Sequence, residues 1–263
     1  MTTPDELLGL AVSVAEEAGE LLRSYGGRTG LGVTTKSSDT DPVSEADHAS
    51  EELITRRLTE ARPDDGILGE EEAANRDGDS GLRWVIDPLD GTVNFLYGFP
   101  QWCVSIAAED ADGPLVGVVH DPSRAETFQA RRGGGTRLGD QPLRVNEPDS
   151  LAQTLIATGF AYDPGLRAAQ GRVAAELVAD ARDIRRAGSA ALDLAWLAAG
   201  RVDGYYEYGL SPWDWAAGQL LVQEAGGTVT RHVRRIAGQD RPGLVAGSRD
   251  THDRILAWLE DHL

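Results

Sequence analysis

Two aspartates three residues apart, Asp87 and Asp90, follow the apolar run Trp84-Val85-Ile86 in the segment WVIDPLDGTVNF, residues 84–95. Pro88 cannot donate to a central sheet ladder, so the chain is expected to leave the sheet there. A tight turn brings both carboxylates to one side, with the Leu89 carbonyl between them. Carboxylate and carbonyl oxygens suit hard cations such as Mg2+, and two adjacent sites can share one carboxylate. Gly91 and Thr92 then offer backbone N–H groups that can open a short helix, and such a terminus favours phosphate. Asp, Pro and Gly are equally common in plain turns, so this segment alone leaves both readings open.

Other acidic residues shift the balance. Glu70 follows the strand-like run Ile67-Leu68-Gly69, where it can add an oxygen ligand, whereas Glu72 reads as part of a solvated loop. Asp214, in SPWDWAAGQLLVQEAGG (residues 211–227), is placed to cap a helix whose Ala216-Ala217-Gly218 face permits close packing. Capping and metal binding are compatible, because a carboxylate has two oxygens.

The rest of the composition narrows the function classes. The 263 residues are 41% hydrophobic, enough for a substantial core. Twenty-five basic residues against 43 acidic ones give a formal charge of −18. That field repels nucleic acid and anionic membranes, and would repel a phosphate ester too unless cations intervene. Cys103 is the single cysteine, so no intrachain disulfide forms. The opening Thr3-Pro4-Asp5-Glu6 is unlike a signal peptide, and no apolar run is long enough to cross a bilayer. A cytoplasmic location is expected.

The elements that must position these residues can be traced along the chain. Thr3 and Glu6 have capping-box spacing, and Leu7, Leu8, Ala11, Val12, Ala15, Ala18 and Leu22 recur at helical spacing until Gly26-Gly27. Residues 34–41 read as a loop or hairpin. Ser44 and Asp47 form a second capping-box pair before a helix that Pro63 ends. Short β-like runs follow at 67–69, 84–86, 104–107 and 115–119, with a hairpin turn at Ala111-Asp112-Gly113 and further antiparallel strands in 126–145. Beyond these, strands near Leu155, Ile184, 202–206 and Val229 alternate with helices over 166–179, 192–199, 215–225 and 254–262. This pattern predicts an α+β fold, an antiparallel N-terminal sheet part followed by an alternating α/β C-terminal part.

Five blocks together resemble the inositol monophosphatase family of lithium-sensitive, magnesium-dependent sugar phosphatases. They are DPVSEAD (41–47), ILGEE (67–71), WVIDPLDGTVNF, RRAGSAALDLAWLAAGRVDGYYE (185–207) and WDWAAGQLLVQEAGG. They occur in family order with family-like spacing and reach across most of the chain. The resemblance implies a layered αβαβα fold in one domain, 1–263. Its subdomains would be a metal- and phosphate-binding part over about 1–148 and a substrate-binding part over 149–263. It implies two to three Mg2+ ions, with Mn2+ as a substitute, and a homodimer acting on a small phosphate ester.

By that resemblance, Glu70, Asp87 and the Leu89 carbonyl hold a first ion, and Asp87, Asp90 and Asp214 a second. A looser third ion lies near Glu70. Thr92, working with Glu70, orients an attacking water, and Asp47 hydrogen-bonds Thr92, with Asp41 nearby. Substrate contacts fall to Asp90, Gly91, Thr92, Gly188, Ser189, Ala190, Glu207 and Asp214. Small-residue packing at a helix start is an equally simple role for 188–190. Ser211 stands where several relatives carry histidine, and Lys36 with Ser37-Ser38-Asp39 matches a loop that closes over the third ion. The implied reaction is hydrolysis of myo-inositol monophosphate by in-line attack of a metal-activated water. The alternatives are a histidinol-phosphate, fructose-1,6-bisphosphate or nucleotide 3′-phosphatase, or a non-enzymatic regulator that binds a partner such as RNA polymerase.

Overall fold

Helix α1 (Pro4–Tyr25) starts on the capping box read from the sequence: Glu6 N–H donates to Thr3 Oγ1, and Thr3 N–H donates to Glu6 Oε2 at 2.7 Å. The structure is a computed structural model that describes residues 3–26, 34–35, 42–43, 45–70, 75–236 and 238–262. Lys36 to Asp39, Asp41, Ser44, Glu71 and Glu72 lie outside the described residues. Strands β1 (Thr34–Thr35) and β2 (Pro42–Val43) pair antiparallel. Helix α2 (Glu45–Ala61) then packs beside α1, each burying one apolar stripe.

Strands β3 (Gly66–Gly69) and β4 (Arg83–Asp90) pair in parallel. After the five-residue helix α3 (Thr92–Leu96), β5 (Cys103–Asp110), β6 (Gly113–Asp121), β7 (Glu126–Arg131), β8 (Gly135–Leu138) and β9 (Gln141–Pro142) follow. These strands extend the sheet antiparallel, giving the spatial order β3-β4-β5-β6-β7-β8-β9.

The chain continues through β10 (Leu155–Thr158), α4 (Pro164–Asp180), β11 (Asp183–Arg185), α5 (Ala190–Ala198), β12 (Gly204–Tyr208) and α6 (Pro212–Glu224). It closes with β13 (Thr228–Ile236), β14 (Gln239–Gly247) and α7 (Arg249–His262). The second sheet has the order β11-β10-β12-β14-β13, with β10 parallel to both neighbours and the β12/β14/β13 pairs antiparallel.

Helices α1 and α2 cover one face of the first sheet, and α5 and α6 lie between the two sheets. Helices α4 and α7 pack with the second sheet on its other side. The five layers are therefore α, β, α, β, α, as the resemblance implies.

Two sequence expectations are corrected. Strand β14 is absent from the sequence reading, because Pro242, Gly243 and three charged or amide residues obscure its alternation; it nevertheless pairs on both sides. The C-terminal sheet thus ends in an antiparallel hairpin, not a further alternation. Pro88 does not end β4 either. Pairing runs from Asp87↔Ser105 to Asp90↔Cys103, so Pro88 and Leu89 together oppose Val104. This is a β-bulge, which absorbs the proline without ending the strand.

The middle layer sits close. A Cβ on Gly117 of β6 would fall 2.9 Å from the Ala217 carbonyl oxygen and 3.0 Å from its Cα on α6. Gly117→Val is therefore expected to push α6 off the sheet and to lower stability by about 1–3 kcal/mol, the range typical of overpacking, as read by urea unfolding.

Candidate active site

The bulge in β4 determines where its two aspartates point. In a regular strand, residues three apart face opposite sides. The extra residue restores parity: Asp87 and Asp90 lie opposite Ser105 and Cys103, which are two apart on β5 and share a face. Val85, Cys103 and Ala107 belong to the core beneath α5 and α6, whereas Trp84, Ile86, Leu89, Val104 and Ile106 belong to the core beneath α1 and α2. Both aspartates therefore face the middle layer.

Helix α6 brings the third carboxylate. Asp214 is the third residue of that helix and not its N-cap. Its Oδ2 accepts the Ser211 N–H at 2.6 Å, in a capping box begun by Ser211. Carboxylate oxygens of Asp87, Asp90 and Asp214 all lie within 4.8 Å of one another. Glu70, just beyond β3, stands outside that trio but lines the same cleft.

Neighbouring groups fix each member. Asp87 Oδ1 accepts the Leu89 N–H at 3.0 Å. Asp90 Oδ2 accepts the Ser189 hydroxyl and the Ala191 N–H, both at 2.7 Å, at the start of α5. The Thr92 hydroxyl lies 2.9 Å from Asp47 Oδ1 and 3.1 Å from the Leu89 carbonyl oxygen, both acceptors for its single proton. Ser50 of α2 donates to the Pro88 carbonyl at 2.9 Å, tying that helix to the bulge. Gly91 holds φ +98°, and a Cβ there would meet the Gln101 carbonyl oxygen at 2.7 Å, so this step into α3 requires glycine.

The opposite wall carries the predicted substrate-side residues. Gly188, Ser189, Ala190 and Glu207 all line the cleft. Glu207 Oε2 accepts the Tyr205 hydroxyl at 2.7 Å. Burial pushes its carboxyl up to about 7, although the Tyr205 hydroxyl and Arg186 act the other way. Three further residues escaped the sequence reading. Arg186 is the one cationic side chain lining the cleft among the described residues. Asn94 of α3 donates to the Gln101 and Ala187 carbonyls at 2.7 and 2.9 Å, joining α3 to the turn before α5. Asp193 is a buried acid on α5; its available signal was a lone charge in the apolar run Ala190-Ala191-Leu192-Asp193-Leu194-Ala195.

The electrostatics are those of a site that needs positive charge. Burial first, then the charges of Glu70, Asp90 and Asp214, holds the Asp87 carboxyl well above its ordinary range. Burial, Asp90 and Glu70 do the same to Asp214. Asp90 is raised by burial but restrained by its Ser189 and Ala191 donors. Protons or cations must relieve this repulsion. An all-oxygen donor set fits a hard divalent ion such as Mg2+.

Five layers with an acidic cleft beside the middle helices are the architecture of the sugar-phosphatase class. The model of the Inositol monophosphatase family matches residues 3–263. An inositol-1-monophosphatase of Mesorhizobium japonicum is 45% identical over 262 residues, covering 98% of this chain and 97% of the relative. The Nus factor SuhB of Pasteurella multocida is 46% identical over 225 residues, covering 85% and 84%. The crystal structure of the extragenic suppressor protein suhB from Bartonella henselae superimposes with a TM-score of 0.89 at 38% identity, covering 98% of this chain and 99% of that one. The chain belongs to the inositol monophosphatase family and is an inositol-1-monophosphatase-like phosphoric monoester hydrolase.

The raised aspartates give a signed pH dependence for the metal-free protein. Their folded-state proton affinity exceeds the ordinary Asp value of 3.8, so the stability they contribute is fully present at low pH and is lost as pH rises through the elevated range. Added Mg2+ is thus expected to raise the Tm more at pH 8 than at pH 5. Asp87→Asn is expected to raise the metal-free Tm at pH 8, by roughly 2–4 °C for each kcal/mol of repulsion relieved, and to shrink the Mg2+ response. Differential scanning calorimetry reads both; an Mg2+ response equal at the two pH values contradicts the account.

Proposed function

We propose that this hydrolase converts myo-inositol monophosphate to inositol and phosphate with Mg2+ at the acidic cleft. The observation that carries the reading is the convergence of Asp87, Asp90 and Asp214 within 4.8 Å beneath a wall formed by Gly188, Ser189, Ala190 and Glu207. Glu70, Asp87, the Leu89 carbonyl, Asp90 and Asp214 would hold two to three ions, and Mn2+ can substitute. When bound, such ions offset the charge of carboxylates and phosphate and acidify water at the site.

The chain's own groups divide the remaining work. Thr92 and Glu70 orient the attacking water, and Asp47 positions the Thr92 hydroxyl. The Gly91 and Thr92 amides hold phosphoryl oxygens as charge spreads over them. Water attacks phosphorus in line: a new P–O bond forms, the ester P–O bond breaks, and the departing alkoxide takes a proton. No phosphoenzyme forms. Asp90, Asp214 and Glu207 face the alcohol hydroxyls. The relative named inositol-1-monophosphatase supports inositol phosphate as substrate. No helix among the described residues is long and apolar enough to cross a membrane. A cytoplasmic homodimer, inhibited by lithium, completes the reading.

A second reading has one observation in its favour, the Nus factor name of the Pasteurella relative. In it the fold serves a protein partner and catalysis is dispensable. An Asp87→Asn chain that fully replaces the wild type in cells would favour this reading.

Metal-depleted enzyme should be silent toward inositol 1-phosphate, histidinol phosphate, fructose 1,6-bisphosphate and a nucleoside 3′-phosphate. Mg2+ should restore activity, with inositol 1-phosphate giving the highest kcat/KM; faster turnover of histidinol phosphate would reassign the substrate. Thr92→Val should lower kcat on the order of 10²–10³-fold, the scale of losing one aligned hydrogen-bonding group at the reacting centre. Rapid-quench trapping of a phosphoprotein would exclude direct attack by water.

A further inference from the structure

Asp193 is a titratable group for which the proposed chemistry has no use. It occupies the fourth position of α5, three residues after Ala190, so one helix face presents both to the cleft. The side chain is 1% exposed, yet its Oδ1 has no hydrogen-bond partner. Buried polar atoms in folded proteins are nearly always paired, and an apolar residue would serve this helix better if packing were the only demand. Burial, and then the charges of Glu207 and Asp90, raise its proton affinity well above the ordinary carboxyl range, with Arg186 opposing them.

Glu207 is the natural companion. The Tyr205 hydroxyl holds its Oε2 at 2.7 Å, and its carboxyl group lies against Gly159, where any Cβ would collide with it. Two acids thus stand in the same cleft as Asp90 and Asp214, one anchored and one with an unpaired oxygen. The ligand chemistry follows from this. An anion is disfavoured by Glu207 and Asp90. An apolar group leaves Asp193 unsatisfied. A hydroxyl both donates and accepts, so it pairs with Asp193 in either protonation state.

We propose that Asp193 is a substrate-binding residue that recognises a hydroxyl of the leaving alcohol, so that with Glu207 it selects polyol phosphates over aryl phosphates. The inference rests on the phosphomonoesterase reading and extends its substrate side to a residue of α5. In the complex, a polyol hydroxyl hydrogen-bonds the Asp193 carboxylate, which lines the cleft, and the aryl ester has no counterpart.

The test measures kcat and KM of wild type, Asp193→Ala and Asp193→Asn with Mg2+ on inositol 1-phosphate, p-nitrophenyl phosphate and histidinol phosphate, together with the Tm of each protein. Asp193→Ala should lower kcat/KM for inositol 1-phosphate roughly 10–100-fold, mainly through KM, while p-nitrophenyl phosphate changes by less than about twofold. Its Tm should match or exceed that of the wild type, since an unsatisfied buried group has been removed. Asp193→Asn, which keeps a donor and an acceptor, should retain most of the affinity. Equal losses on all three esters, no loss, or a loss confined to the ammonium-bearing histidinol phosphate each overturns the proposal. A wild type inactive on all three sinks the phosphatase reading instead. Calorimetric binding of myo-inositol then decides Asp193: binding lost in Asp193→Ala supports it, and binding that is equal or absent in both overturns it.

Discussion

Mutual repulsion among crowded carboxylates is the constraint around which this molecule is organised. One carboxylate oxygen from each of Asp87, Asp90 and Asp214 lies within 4.8 Å of the others, where partial burial weakens screening by water. Left to itself such an arrangement would fly apart or protonate. Rigid, separately anchored supports hold it together. Asp87 and Asp90 are fixed on a bulged strand in a seven-stranded sheet, and Asp214 is fixed in the first turn of α6 by the Ser211 amide. Because the supports belong to different layers, the packing between layers sets the distances among the charges. Gly117 and Ala217 touch backbone to backbone for that reason.

The hydrogen bonds around the cluster are asymmetric, and the asymmetry has chemical content. Asp90 receives two donors on one oxygen from the start of α5, which eases its ionisation relative to Asp87 and Asp214. Asp87 receives a single amide from within its own turn. On the far wall, Glu207 is likewise pinned through one oxygen by Tyr205. In each case a donor holds one oxygen of a carboxylate that lines the cleft, so rigidity and reactivity come from the same side chain.

Much of this was legible in the sequence, for identifiable reasons. The capping box of α1 and its apolar stripe are local, and local rules found them. Asp87, Asp90, Glu70 and Asp214 announced themselves by residue type at strand and helix ends, and five blocks in family order supplied the layers and the Asp47–Thr92 contact that spacing alone could not. What stayed hidden was non-local. Strand β14 reads poorly because Pro242 and Gly243 interrupt its alternation, yet β12 and β13 on either side supply its ladder. Asp193 looks like a blemish in an apolar helix until the fold sets it beside Glu207. Asn94 has no pattern at all; only the approach of residues 187–188 to α3 gives it a task.

The bulge in β4 gives that strand something like a reading frame. Straightening it without shortening the chain would advance every residue beyond Asp87 by one place. Leu89 would then turn into the cleft, and Asp90 into the oily layer under α1. Pro88, with no amide to offer a regular ladder, stands at the one point where such a slip would begin. The proline that seemed to end the strand instead guards its phase.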